Sequence, residues 1–412
     1  MKKVKLLISM LAVAAIMATV LWSCGGDDEP PALALVSLTA EGIDLNGATS
    51  ATGVPVGANI VATFNVDVDS TSVSAITLVR QVDGQNISVN ITVDGPEVTI
   101  NPNSDFGTGT LFILTFGTGL KSTAGKTLTS AIERNFTTEG TFAAPGAVAH
   151  WTFEDSPVDI IAGRAPTPSG VVDITYVAGR KAEAGKAASF NGTTSIIEYA
   201  NGSQLMNNGS WSLSVWVKPN SSLGKGQFVI GLGAFYGFQF EIFSSYDAFK
   251  LAAGYTNGST DFSEDLWADG EGNLGWQGWV YSKDFRPTGG MNVVIKDKWA
   301  HYVFVYNAST RQGIVYLNGE RIKEQDFDLW PDGDPKRTTT GLKYRGTPPD
   351  VLNELALGFI QSRGGTMWDA EPWGGYDFPG ANHFHGLMDD LIIYHRALTA
   401  SEITAMYNSG KP

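Results

Sequence analysis

Cysteine is nearly absent from this chain: 412 residues carry one, Cys24. An intrachain disulfide is therefore excluded, and with it the small secreted domain held together by disulfides. Basic residues are scarce, 28 Lys and Arg against 42 Asp and Glu, for a formal net charge of −14. So acidic a chain lacks the Lys/Arg stripes that nucleic acid or an anionic membrane surface requires, and neither is an expected partner. Long apolar runs are absent after Trp22, so no later segment reads as a membrane-spanning helix. Tryptophan is missing between Trp22 and Trp151, whereas ten lie from Trp151 to Trp373. That asymmetry implies two domains of different character, with the boundary near residues 140–146. What is abundant is glycine (48 residues), with Thr, Val and aromatics in a chain that is 43% hydrophobic. This is the composition of an all-β protein.

The N-terminus explains the lone cysteine. Lys2, Lys3 and Lys5 precede an apolar run over residues 6–22, short for a spanning helix and suited to a signal peptide. The run ends in Leu21-Trp22-Ser23-Cys24, which resembles the lipobox of bacterial lipoprotein signals, although Trp22 is bulkier than usual there. The resemblance implies removal of residues 1–23 and acylation of Cys24, with several acyl chains making attachment durable. Cleavage would remove three Lys and no acid, moving the formal charge from −14 to −17. Residues 24–32, rich in Gly, Pro and acids, read as a flexible tether. A small-plus-acidic stretch after the lipidated Cys resembles the surface-export signal of glycan-foraging Gram-negative bacteria. The expected location is thus the outer face of the outer membrane.

Residues 33–140 alternate short apolar strands with turn residues, as in Ile60-Val-Ala-Thr-Phe64, and include a longer run read as buried, Leu111-Phe-Ile-Leu-Thr-Phe116. About seven strands in this length predict an immunoglobulin-like sandwich. Val54-Pro-Val-Gly-Ala58, Val98-Thr-Ile-Asn-Pro102 and Leu120-Lys-Ser-Thr-Ala-Gly125 resemble bacterial Ig-like domains of surface proteins, which implies a spacer. The segment has no His, Cys or Trp and only scattered acids.

Residues 145–412 show longer strands with aromatics at alternate positions. Trp211, Leu213, Val215 and Val217 fall on one face of a strand and Trp216 on the other. Asn318-Gly319 is a tight-turn pair, and Thr399-Ala-Ser-Glu402 is a capping box opening a short helix through Tyr407. Val148-Ala-His-Trp-Thr-Phe153, Ala187-Ala-Ser-Phe-Asn-Gly192, Val315-Tyr-Leu-Asn-Gly319 and Gly386-Leu-Met-Asp-Asp-Leu-Ile-Ile-Tyr394 resemble the laminin-G/concanavalin-like superfamily, in family order. The resemblance implies a jelly roll of two curved antiparallel sheets, with its terminal strands paired and binding on the concave face or rim loops. Trp151, Trp211, Trp216, Trp299 and His301 lie on the matching strands and are expected in the core.

Three stretches exceed a minimal domain of this type, and long aromatic-rich loops are usually functional. Together they carry Trp267, Trp276, Trp279, Tyr281, Trp330, Trp368, Trp373 and Tyr376. Trp and Tyr stack on the apolar face of a sugar ring while acids and amides bond its hydroxyls, so these eight are the candidate glycan platform. The alternative is that they cover the sandwich as satellite core. Asp389 and Asp390 in the last strand, with Glu154 and Asp155 after the first, are candidate ligands for a structural Ca²⁺; otherwise they bond backbone N–H groups. The acids of residues 269–273 and the pair His383 and His385 are weaker metal candidates. Glycosidases of this fold place carboxylates as Glu-x-Asp-x-x-Glu, which is absent. The nearest set is Glu324, Asp326 and Asp328, catalytic if the protein is an enzyme and a solvated hairpin face if not.

The expected function is capture of an extracellular polysaccharide at the cell surface, beside a glycan transporter and separate enzymes. The alternatives are a glycoside hydrolase or lyase on the same scaffold, or a protein-binding adhesin. Cys24→Ser is expected to leave the protein unprocessed or soluble, as membrane fractionation would show; a variant still recovered as mature membrane protein would refute the anchor.

Overall fold

A computed structural model describes residues 29–47, 49–274 and 277–412 of the chain, so Cys24 and Trp276 lie outside the described residues. Among the described residues no helix is long and apolar enough to cross a membrane.

The N-terminal domain is a sandwich of two five-stranded sheets. Ten short strands form it rather than about seven, because Ile43–Asp44 and Gln85–Asn86 are two-residue strands too brief to show a period. Leu111–Phe116 is buried at alternate residues, sending Phe112, Leu114 and Phe116 inward, rather than being buried throughout. Phe112 stacks on Phe136 at 5.5 Å in a core that also takes Phe64 and Phe106.

The C-terminal domain packs two antiparallel sheets face to face. The back sheet runs, in spatial order, Thr175–Ala178, Lys186–Asn191, His385–Tyr394, Trp211–Pro219, Ala300–Asn307, Gln312–Leu317, Glu320–Asp326 and Trp279–Ser282. Ala147–Trp151 also pairs with His385–Tyr394, joining the domain's two terminal strands as expected. The front sheet runs Val171–Val172, Ile196–Ala200, Glu354–Leu357, Gln227–Gly231, Phe238–Ile242, Phe249–Thr256 and Asp261–Ala268. Between them lies the main core, including Trp151, Trp211, Leu213, Val215, Val217, Phe240 and Tyr302. Asn318 and Gly319 both adopt left-handed backbone (φ 53° and 78°), as a tight hairpin turn of this type requires.

The outer face of the back sheet is also covered. Thr399 accepts from the Glu402 N–H and Glu402 returns the bond, capping the helix Ala400–Gly410, three residues longer than expected. Its Ile403 and Met406 pack with Val303, Val305, Ile392 and Tyr394, together with Phe142 and Ala144 of the interdomain linker. The linker is pinned there: Phe142 N–H donates to Ser409 Oγ (2.6 Å), Tyr394 Oη–H to the Ala144 carbonyl (3.1 Å) and Arg396 Nη2 to that of Pro145 (2.6 Å). Trp216 stacks between His301 and Tyr407 beneath this helix, as its place on the second face of the strand required. His301 is fully buried, accepts or donates at Ser214 Oγ (2.8 Å), and is pushed down to about 3 by burial. Trp299 is only half-buried, because the strand begins after it at Ala300.

Asp389 and Asp390 sit where the long strand His385–Tyr394 changes partner, and they do not form a cation site with Glu154 and Asp155. Arg180 stands in the cation's place, bonding Asp389 through Nη1 and Asp390 through Nη2. His150 Nε2 meets the other Asp390 oxygen at 2.8 Å. Burial, then the adjacent Asp390, pushes Asp389 up; Asp390 is held down, against burial, by its bonds from His150 and Arg180. Glu154 instead accepts the Lys186 N–H, and Asp155 pairs with the Lys186 ammonium. Among the described residues no group of three or more His, Cys, Asp or Glu is placed to hold a metal ion. Arg180→Ala is expected to lower stability by about 3–5 kcal/mol in urea denaturation at pH 7, since it strands two buried carboxylates. A change below about 1 kcal/mol would show that solvent, not Arg180, compensates them.

Candidate binding cleft

The front sheet has two faces of different chemistry. In Phe238–Ile242 the residues Phe238, Phe240 and Ile242 enter the main core, so Gln239 and Glu241 must face out. In Phe249–Thr256 the same alternation turns Lys250 and Ala252 outward, and in Asp261–Ala268 it turns Ser263, Asp265 and Trp267 outward. Register then sets two rows across three strands: Glu241 beside Lys250 beside Trp267, and Gln239 beside Ala252 beside Asp265.

These outward residues are bonded to one another. Lys250 Nζ donates to Asp265 Oδ2 at 3.0 Å and lies within 6.0 Å of the ring centres of Phe235, Phe243 and Trp267. Gln239 Nε2 donates to Glu241 Oε2 at 2.9 Å. The second Asp265 oxygen is buried without a partner. Burial pushes the Glu241 carboxyl up to about 6, with Lys250 opposing.

Beside this patch is an open cleft of about 360 Å³ lined by Phe235, Ser263, Glu264, Asp265, Trp267 and Trp279. Trp267 comes from the front sheet and Trp279 from the edge strand of the back sheet, so the cleft lies where the two sheet edges meet. Lys323 supports Trp279: its ammonium is 3.2 Å from the ring centre and donates to the Asn273 carbonyl at 3.1 Å. Lys323 is buried, which pushes it down to about 8.

Of the eight aromatic candidates, Trp267 and Trp279 converge. Neither is in an irregular loop, because the first long stretch contains the strands Asp261–Ala268 and Trp279–Ser282. Tyr281 lies 4.3 Å beneath the Arg321 guanidinium. Trp330 is a correction: only 7% exposed, it belongs to the main core, because its loop folds back between the sheets. Trp368 and Tyr376 are satellite core around Phe228 and Phe359, with the Tyr376 hydroxyl donating to the Thr194 carbonyl. Trp373 is 39% exposed, its ring edge-on to Phe228.

The other candidates are dispersed. Glu324 pairs with Arg321 and Asp328 with Arg311, while Asp326 caps the following turn by accepting from the Asp328 N–H. Three carboxylates each held by a local partner do not make a catalytic set. His383 stacks on Phe359 at 4.3 Å and bonds the Tyr376 carbonyl, whereas His385 faces Ser222, so the two imidazoles share no ligand position. In residues 269–273 the acids bond Asn273 instead of facing a common point. Glu241, Lys250, Asp265 and Gln239 were missed from sequence. Their signal is the alternation of amide and acid with aromatics in Phe238-Gln-Phe-Glu-Ile242.

Residues 43–138 match the bacterial Ig-like domain family, and residues 191–349 match the concanavalin A-like lectin/glucanases superfamily. The chain is a bacterial Ig-like domain followed by a concanavalin A-like domain. No curated protein matches it. Among solved structures it is similar to domain 4 of AbnA, a GH43 extracellular arabinanase from Geobacillus stearothermophilus, in complex with arabinotriose. That match has 22% identity over 64% of this chain and 98% of the other, with a TM-score of 0.36. It is also similar to the botulinum neurotoxin serotype D ligand binding domain in complex with N-acetylneuraminic acid (13% identity, 64% and 51% covered, TM-score 0.39). The binding domain of Paraclostridial mosquitocidal protein 1 is matched at 13% identity, with 64% and 52% covered and a TM-score of 0.41. The chain spans about half the length of the neurotoxin domains. At these TM-scores the likeness identifies neither ligand nor site.

The concanavalin-like domain keeps Glu241 at a price in stability. A carboxyl raised from 4.5 to about 6 favours the folded state while protonated, and that contribution is lost as pH rises through about 6. Glu241→Gln is expected to remove this slope, and to be more stable than wild type by up to about 2 kcal/mol above pH 7. Denaturant melts at pH 4 and pH 7.5 test this; parallel behaviour of the two proteins would show that Glu241 is solvated.

Proposed function

We propose that this protein is a lipid-anchored protein of the outer-membrane surface that captures an extracellular polysaccharide in the cleft between Trp267 and Trp279. One observation carries the reading: two tryptophans from different sheets line a cleft that also contains Ser263 and Asp265, next to Glu241, Gln239 and Lys250. A sugar presents an apolar C–H face and a rim of hydroxyls, so it needs rigid aromatic walls and a few fixed polar groups at once. A site for a flat protein partner would not require bonded acids and amides on its floor.

The placement of the domains supports the same reading. The linker and C-terminal helix cover the outer face of the back sheet, and the cleft lies away from them where the edges of the two sheets meet. A tether before the Ig-like domain would hold the cleft at the cell surface. There it could hand chains to a transporter and to separate enzymes. The acids that would catalyse if the protein were an enzyme, Glu324 and Asp326 on the back sheet and Asp328 in the turn after it, are individually held, so binding rather than hydrolysis is the function proposed.

Trp267→Ala and Trp279→Ala are each expected to weaken binding about thirtyfold, or ~2 kcal/mol, with the melting temperature nearly kept. Trp330→Ala should do the reverse, losing about 3–5 kcal/mol of stability while the folded fraction binds normally. Affinity electrophoresis against the best hit of a glycan screen, paired with thermal melts, makes the comparison. Normal binding by both cleft variants would move the site elsewhere.

A further inference from the structure

We infer that the glycan taken by this cleft is an uncharged one, recognised through hydroxyl groups that it donates to Asp265 and Glu241. The inference rests on the reading of the cleft as a glycan site and adds the class of glycan.

The charges around the cleft are unequally free. The three lysines there are already committed. Lys250 is bonded to Asp265 and enclosed by three aromatic rings. Lys336 is paired with Glu264. Lys323 lies under the Trp279 ring and donates to the Asn273 carbonyl. Arg345, close by, donates through Nη2 to the Phe235 carbonyl at 2.6 Å, and its Nε is buried without a partner among the described residues. None of the three lysines is left to meet a carboxylate or sulfate arriving with a ligand, and the unpartnered Arg345 Nε is itself shut away from solvent.

The acceptors are in the opposite state. Asp265 bonds Lys250 through one oxygen, and its other oxygen is buried without a partner among the described residues. Among the described residues Glu241 accepts from Gln239 at Oε2 only, and Oε1 has no donor. A buried acceptor left unpaired is unfavourable, and an incoming hydroxyl is the donor that satisfies it without adding charge. A uronate or sulfate would instead bring a like charge next to two carboxylates and a single committed lysine. The chain as a whole, at −14, adds a repulsion of longer range that salt screens.

The test uses the soluble full-length chain with Cys24 replaced by Ser and residues 1–23 omitted. It is measured by affinity electrophoresis and calorimetry against two series of polymers. The uncharged series is arabinan, galactan, xylan, mannan and mixed-linkage glucan; the charged series is polygalacturonate, alginate and chondroitin sulfate. At least one uncharged polymer is expected to bind, and every charged polymer should bind tenfold or more weakly at low salt. Glu241→Gln should weaken the uncharged ligand about tenfold while remaining folded. Asp265→Asn, which frees Lys250, should narrow the gap between the two series by strengthening the charged one. A charged polymer binding wild type as tightly as any uncharged polymer would overturn the inference and leave the glycan reading standing. So would variants that leave the ratio between the series unchanged. Failure of both series to bind would overturn the glycan reading itself.

Discussion

The concanavalin-like domain depends on one strand, His385–Tyr394, and on how its middle is closed. One edge of it is shared: Lys186–Asn191 pairs as far as Met388, and Ala147–Trp151 pairs from Leu391 onward. Trp211–Pro219 runs along the other edge, with a register shift opposite this point. The break therefore falls at Asp389 and Asp390, where Asp390 takes a left-handed backbone with φ 42°. Two carboxylates at a break inside a sheet demand a cation. Arg180 supplies it and spends its remaining Nε donor on the Gly410 carbonyl at 2.8 Å, so the same guanidinium fastens the C-terminal helix. Asp390 also accepts from Thr141 in the linker at 3.3 Å. The first strand of the domain, the C-terminal helix and the interdomain linker meet at this node, far in sequence from one another.

The front sheet solves a different problem with the same alternation. Its inner residues are large and apolar because they face the core. Its outer residues are free to be anything water or a ligand tolerates. An ordinary solvent face would carry well-hydrated, independent charges. Here Gln239, Glu241, Lys250 and Asp265 are partly buried among Phe235, Phe243 and Trp267, and the carboxyl of Glu241 is raised accordingly. Such a group works against folding at neutral pH, and a polar group held in place against stability is the expected mark of a working site.

The fold was legible from sequence because its signals are local. Strand period, the Asn318-Gly319 turn and the Thr399–Glu402 capping box each need only a few neighbouring residues. The site was half legible. Trp267 and Trp279 stood out by residue type, but their strands were hidden in a stretch broken by Gly270, Gly272 and Gly278. Trp330 looked equivalent and is core, since nothing local reveals that its loop returns between the sheets. Asp389 and Asp390 were visible as a pair in need of a cation. Their partner lies 209 residues away from Asp389, beyond any spacing argument, and calcium was the available guess where an arginine stands.

The two halves of the domain thus use charge in opposite ways, and the difference separates structure from function. At the back, Arg180, Asp389, Asp390 and His150 are bonded to one another, and the one Asp389 oxygen left without a partner among the described residues is sealed from solvent, so the result is a joint that fixes the linker and helix. At the front, the lysines are answered while acceptors beside the cleft are left over. A node closed to solvent can only hold parts together. A patch with acceptors unpaired, roofed by aromatics and open to solvent on one side, is completed by something from outside. The alternating pattern that builds the core therefore also sets out the site, because each apolar residue turned inward gives its neighbour to the ligand-facing surface.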